Sequence, residues 1–176
     1  MAEVLHVSSL SEGAFAGRSE NSKPPFFAVF GKPIGHSLSP LMQNAALAKV
    51  AKTNAELDGA KYFAFEVEPE KLAETLDIFW RKNFAGINLT IPHKEIAMRV
   101  VDDFDASAEN AKACNTLLRT PRGWKGFNTD GFGVSAAVEH AFGRGFANAD
   151  AVLLGAGGAA RGAAAAVIAA GCKSPL

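Results

Sequence analysis

The sequence predicts an α/β protein: a three-layer domain around a largely parallel, mixed sheet, followed by one further strand, turn and helix. Three observations predict it. Short apolar runs alternate with stretches of helical periodicity, the pattern of parallel strands joined by helices that cover the sheet faces. The first three helical stretches are each entered through a proline, which suits a first helical position because its missing N–H would have no partner there. One later segment breaks the alternation and carries turn residues between two strand-forming runs, which predicts a hairpin.

In order along the chain, residues 1–25 show no regular periodicity and predict a flexible lead closed by Lys23-Pro24-Pro25. "FFAVFG" from Phe26 is a buried strand ending at Gly31. "KPIGHSLSP" is a loop, and Ser39 before Pro40 predicts a helix with Ser39 as its N-cap and Leu41, Ala45 and Ala48 on one apolar face. "KYFAFEV" is a strand, and "PEKLAETLDIFWRK" a helix with Leu72, Leu76 and Phe79 at helical spacing. "AGINLTI" and "PHKEIAMRVV" repeat the unit. In "ACNTLLRTPRGWKGFNTD", Pro121 and Gly123 mark a type I turn, and counting outward pairs Arg119 with Trp124, Leu117 with Gly126 and Asn115 with Asn128. "GFGVSAAVEHAF" is a helix, "GRGFANAD" a connector, and "AVLLGAGGAARGAAAAVIAAG" a strand, glycine turn and helix. The predicted division is residues 26–129 as the α/β domain, 130–148 as a linking helix and connector, and 149–176 as the opening of an incomplete second domain.

Composition narrows the partner. Eighteen Lys and Arg balance eighteen Asp and Glu, so no field of one sign would draw nucleic acid or an anionic membrane. A small molecule is the expected ligand. Cys114 and Cys172 lack any C-x-x-C spacing, which fits reduced, buried thiols in the cytoplasm. The first residues lack a basic n-region and an unbroken apolar core, so they do not read as a secretory signal. The longest apolar run, Ala163 to Ala170, falls far below the ~20 residues that span a bilayer.

Gly155, Gly157 and Ala160 fit G-x-G-x-x-G/A after an apolar run and at the opening of a helix. The first Gly allows a tight turn, the second lets a pyrophosphate approach the backbone, and the phosphate rests on the helix N-terminus, as in Rossmann-type domains. A merely tight βα turn is the alternative, and the strand-turn-helix context favours cofactor binding over it. Lys94 lies in the first turn of a predicted helix, where the macrodipole disfavours a cation; it is either a solvated lysine or a functional misfit. Ser37 and Ser39 follow the first strand, and Asn115 meets the Asn128-Thr129-Asp130 cluster at the open end of the hairpin. Asp130 with Thr129 is equally able to cap the helix that follows. His36 and His93 show no metal-ligand spacing, so no metal site is expected. In α/β sheets ligands bind outside the carboxyl ends of strands, and one pocket would collect these residues.

With those residues in hand, the chain resembles the shikimate dehydrogenases, through "AVFGKPIGHSLSP", "GINLTIPHK", "NTLL", "GFNTDGFG" and "LLGAGGAARG" in that order. The resemblance implies NADPH-dependent reduction of 3-dehydroshikimate to shikimate, with a quinate/shikimate dehydrogenase using NAD as the alternative within the family. It implies that Ser37 and Ser39 bind the substrate carboxylate, that Asn88, Thr90 and Asn115 line the ring pocket, and that Lys94 and Asp130 form the catalytic pair. Gly155, Ala156, Gly157, Gly158 and Ala159 would form the cofactor phosphate loop. Lys112 departs from the family, standing where a small residue is usual. The later segments that complete the family's cofactor site have no counterpart, which implies a C-terminally truncated chain. The reading from another class is therefore a non-catalytic chain that binds the ring alone. Val152, Leu153 and Leu154 on an uncovered strand would favour self-association, a homodimer being the simplest form.

Overall fold

A computed structural model describes residues 3–175. The strands are β1 (Val4–His6), β2 (Phe26–Gly31), β3 (Lys61–Glu66), β4 (Phe84–Leu89), β5 (Asp103–Phe104), β6 (Thr116–Thr120), β7 (Gly123–Phe127), β8 (Asp150–Ala151) and β9 (Ser174–Pro175). The α-helices are α1 (Ser39–Val50), α2 (Leu72–Arg81), α3 (His93–Ile96), α4 (Ala106–Ala111), α5 (Asp130–Phe142) and α6 (Gly158–Ala169). Strands β1 to β7 form one sheet in the order β1-β3-β2-β4-β6-β7-β5. β1, β3, β2 and β4 run parallel, β6 is antiparallel to both β4 and β7, and β5 is parallel to β7. The largely parallel, mixed sheet is the one the alternating pattern predicts.

Period-two alternation sorts the strand residues into two cores. Ala28 and Phe30 of β2, Phe65 of β3, and Ile87 and Leu89 of β4 pack with Leu72, Leu76 and Phe79 of α2 on one face. Val29, Tyr62 and Ala64 pack with Leu47 of α1 on the other. The α2 face is the one its spacing predicts. That of α1 is not, for Leu41 is 72% exposed. Alanines carry little facial information, and the face is set instead by Asn44, whose amide donates to the Tyr62 carbonyl at 2.8 Å and accepts from the Tyr62 N–H at 2.9 Å.

Two further expectations are corrected. Residues before Phe26 do not form a flexible lead. β1 pairs with β3, and Leu10 and Phe15 are buried, the Phe15 ring lying against Phe26, Phe63, Phe65 and Phe84. Arg18 lies 3.8 Å over the Phe26 ring and donates to the Lys82 and Pro24 carbonyls. These anchors are isolated in sequence, so no periodicity announces them. At the other end the strand expected through Leu154 stops at Ala151, and Val152 to Leu154 have no ladder partner among the described residues. Their exposure matches the expectation for an uncovered strand.

The hairpin has the predicted register: Arg119 pairs with Trp124 and Leu117 with Gly126, and the Asn115 N–H donates to the Phe127 carbonyl at 3.0 Å. The helix expected from Pro92 shortens to the single turn α3, continued by a 3-10 turn over Ala97–Arg99. Lys112 ends α4 in the left-handed region at φ +50, a conformation that suits glycine better and costs a lysine roughly 1 kcal/mol.

Candidate active site

The carboxyl ends of β2, β4 and β7 and the start of antiparallel β6 share one edge of the sheet, and the residues expected to bind the ring and move the proton lie at it. Three backbone bonds clamp this edge. The Leu89 N–H donates to the Asn115 carbonyl at 2.8 Å, the Thr90 N–H to Phe30 at 2.9 Å and the Cys114 N–H to Lys94 at 2.8 Å. Gly31 makes room for the clamp, because a Cβ there would sit 2.6 Å from the Thr90 methyl.

At the centre the Lys94 ammonium donates to Asp130 Oδ2 at 2.6 Å, with side-chain exposures of 14% and 23%. Asn115 Nδ2 donates to Asp130 Oδ1 at 2.8 Å and to Thr129 Oγ1 at 3.0 Å, and Asn115 Oδ1 accepts from the Thr129 N–H at 2.9 Å. Both carboxylate oxygens are thus engaged by donors, one of them charged, which makes for short and strong bonds. The cation that the helix dipole disfavours on α3 is compensated by a carboxylate from the far end of the hairpin. This answers the misfit of Lys94. Asp130 does not cap its helix through its own side chain. Asn128 does so, its Oδ1 accepting from the Asp130 N–H at 3.0 Å while its Nδ2 donates to the Ala113 carbonyl at 2.9 Å. Sequence places Asn128 in the cluster without a role of its own, although an Asn two residues before a helix start is itself a capping signal.

Ser39 does not cap α1 as expected. Ser39 lies inside α1, and the hydroxyl that accepts its N–H, at 3.2 Å, is that of Ser37. Among the described residues the Ser39 hydroxyl has no hydrogen-bond partner, nor has that of Thr90. Ser37 retains its own proton. The mouth of the site therefore offers several hydroxyl donors not committed to protein. Asn88 is held by Tyr62 and Thr116. Cys114, fully buried, has its thiol pushed up in pKa by burial and is no candidate nucleophile.

Facing this cluster is the glycine turn. Gly155 has φ +129, a conformation for glycine, and nothing lies within 4 Å of the Cβ position of Gly157. The first intrahelical bond of α6 runs from the Arg161 N–H to the Gly157 carbonyl, so the amides of Gly158, Ala159 and Ala160 have no helical acceptor. The turn lines a cleft of about 740 Å³ with Thr90, Lys94, Glu95 and Arg99. Backbone donors beside space that no Cβ fills fit the phosphates of a dinucleotide. Small residues also let the turn close in: a Cβ on Gly158 would lie 3.1 Å from that of Lys94, and one on Gly162 would meet Asn128 Oδ1 at 2.7 Å. Arg161 reaches across the cleft to Glu95 at 3.5 Å, a contact with no sequence signal.

Comparison with known proteins agrees with this geometry. Residues 29–117 match the model of the shikimate dehydrogenase substrate binding domain. A shikimate dehydrogenase (NADP(+)) of Moorella thermoacetica is 44% identical over 149 residues, 84% of this chain and 48% of that protein. Among solved structures, shikimate 5-dehydrogenase from Thermus thermophilus in complex with NADP(H) and shikimate is 36% identical, with a TM-score of 0.74 over 85% of this chain and 54% of that one. Shikimate 5-dehydrogenase from Listeria monocytogenes in complex with shikimate and NAD is 32% identical, with a TM-score of 0.76 over 86% of this chain and 50% of that one. The chain spans about half the length of the curated relatives it matches. With the domain model covering half of the chain and the polar edge intact, the chain belongs to the shikimate dehydrogenase family through its substrate-binding domain.

Proposed function

We propose that this chain carries the shikimate-binding and proton-transfer half of an NADP-linked shikimate dehydrogenase, which reduces 3-dehydroshikimate to shikimate. The observation that carries the reading is the Lys94–Asp130–Asn115 cluster on the sheet edge, facing the glycine turn across the cleft. A bound reduced nicotinamide would supply hydride to the C3 carbonyl carbon. The chain's own residues do the rest. Ser37 and Ser39 donate hydroxyl protons to the ring carboxylate, while Asn88, Thr90 and Asn115 orient the ring hydroxyls. As negative charge develops on the carbonyl oxygen, the Lys94 ammonium donates a proton to it, and in the reverse direction the neutral amine takes the proton back. Asp130 keeps the ammonium aimed and compensates its charge. The amides of Gly158, Ala159 and Ala160 hold cofactor phosphate.

Domain roles follow the same division: residues 26–129 bind the ring, 130–148 link, and 149–176 open the cofactor domain. The balanced charge and the absence of any long apolar helix among the described residues fit a cytoplasmic enzyme of small molecules. Self-association as a homodimer would cover Val152 and Leu154.

A second reading, ring binding without turnover, is favoured by Val152 to Leu154, which are exposed and lack strand partners among the described residues beside the glycine turn. Two measurements separate the readings. Calorimetric titration with shikimate tests the pocket, and the absorbance of reduced nicotinamide in the presence of shikimate and NADP⁺ tests turnover. Binding with turnover supports the full proposal, binding alone supports the second reading, and a well-folded chain that binds no shikimate overturns both.

A further inference from the structure

Tyr62 and Thr116 have no part in the roles assigned so far, yet both are links in one hydrogen-bond chain. The Tyr62 hydroxyl donates to Asn88 Oδ1 at 2.7 Å, and Asn88 Nδ2 donates to Thr116 Oγ1 at 3.1 Å. Thr116 Oγ1 donates to Asn115 Oδ1 at 2.9 Å, and Asn115 Nδ2 donates to Asp130 Oδ1 at 2.8 Å. Every donor points along the chain toward the carboxylate that holds Lys94. Aligned donors of this kind polarise one another, and a missing link leaves a part-buried group unpaired.

The inventory of protons makes the direction obligatory. Tyr62 is buried, and burial pushes its pKa up, so it stays a donor. It has one proton, which commits the Asn88 oxygen to Tyr62 and the Asn88 nitrogen to Thr116. Thr116 also has one proton, and Asn115 takes it. With the Asn115 oxygen accepting from Thr116 and from the Thr129 N–H, only its nitrogen is left to face Asp130. Turning Asn115 over would set its oxygen against the carboxylate and its nitrogen against the Thr129 N–H, and turning Asn88 over would leave the Tyr62 proton without its acceptor.

We infer that Tyr62 and Thr116 are positioning residues, which fix the amide orientations of Asn88 and Asn115 and through them the carboxylate of Asp130. The inference rests on the proposed function in assigning Asn88, Asn115 and Asp130 to the ring site. Asn88 set in this orientation keeps a second lone pair of Oδ1 for a ring hydroxyl, so the site selects a ring that donates there.

The test uses Tyr62→Phe, Thr116→Val and Thr116→Ser in the whole chain, read by the side-chain amide signals of Asn88 and Asn115 in the ligand-free protein and by shikimate affinity. Tyr62→Phe and Thr116→Val are each expected to move the Asn115 signal, which Tyr62 does not touch, and to weaken shikimate binding about tenfold, ~1.4 kcal/mol. Thr116→Ser restores both. An unmoved Asn115 amide in both disrupted variants overturns the inference, even if their melting temperatures fall. Should Tyr62→Phe not fold, the two Thr116 variants decide. A wild-type chain that binds no shikimate sinks the functional reading alone, because the amide shifts are read without ligand.

Discussion

Two turns face each other across the cleft, and they are built on opposite plans. Each follows an apolar run and opens a helix. The run before the Thr90–Lys94 turn is β4, paired with β2 on one side and β6 on the other. Its turn is therefore anchored in the sheet, and the chemistry is carried by side chains whose partners come from strand ends and from the start of α5 that follows β7. The run before the Gly155–Gly158 turn is Val152 to Leu154, which has no ladder partner among the described residues, and the chemistry there would be carried by bare backbone amides. The ring-binding half of the site stands on its own sheet. The phosphate-binding half is held mainly by α6 packing against α5 and α4, so its position depends chiefly on helix contacts.

The largest expected effect lies on the anchored side. Lys94→Ala removes the proton donor and leaves Asp130 without its cation. Initial rates should fall by about 10²- to 10⁴-fold, the usual worth of general acid–base help, while calorimetric shikimate affinity changes by no more than a few-fold. Persistent turnover would show that another group donates the proton.

Gly131→Ala tests the other side. A Cβ at Gly131 would lie 2.6 Å from the Ala166 Cβ and equally close to the Gly162 carbonyl oxygen. Overpacking of this kind costs ~1 to 3 kcal/mol, more than the up to ~1 kcal/mol of helix propensity that Ala gains over Gly. Hydrogen exchange should show α6 losing protection while β4 keeps its own. Equal acceleration in both would mean that the two halves form one cooperative unit, and the contrast between them would fail.

These regions also differ in how far the sequence announced them. Strands β2 to β4, the α2 face and the hairpin register follow from periodicity and from a single Pro-x-Gly turn, because local spacing and tertiary burial agree there. The Lys94–Asp130 pair was legible as a dipole misfit and a hairpin end, two signals that meet only when the register is counted out. Where side chains rather than pattern decide, the reading failed. Asn44 turns α1 so that Leu41 faces outward, and lone Phe15 and Leu10 tie down a segment with no period of its own. Likewise Ser37 takes the capping role of Ser39, since an N-cap depends on one torsion that composition does not encode.

His93 gives a smaller effect, beneath the anchored turn. It is fully buried next to Lys94, with both ring nitrogens lacking hydrogen-bond partners among the described residues, and burial pushes its pKa down, offset in part by the nearby Val67 backbone. Unpaired buried polar atoms cost ~1 kcal/mol or more, so His93→Leu should raise the urea midpoint at neutral pH. The sign of the pH dependence follows from the direction of the shift. Below the unfolded value of ~6.5 the unfolded chain takes up a proton that the folded site resists, so stability falls as pH drops from ~6.5 toward the lowered folded value. The wild type should lose more stability than His93→Leu between pH ~7 and ~5. Parallel losses would mean that the ring finds a partner when charged.

The smallest expected effect concerns an ion pair that crosses the cleft. Glu95 and Arg161 are each nearly half exposed and 3.5 Å apart, and Arg161 sits in the first turn of α6, where the dipole opposes a cation. It also donates to the Ala156 carbonyl at 3.3 Å, which orients it without Glu95. Exposed pairs of this kind contribute ~0.2 to 1 kcal/mol. A double-mutant cycle of Glu95→Gln and Arg161→Gln should therefore give a coupling at the low end of that range, vanishing near 1 M salt, where screening acts over ~3 Å. A salt-resistant coupling well above ~1 kcal/mol would mean that charge, rather than the close approach of Gly131 and Gly162, holds the glycine turn over Lys94. The two plans would then be one, since both halves of the site would rest on side chains.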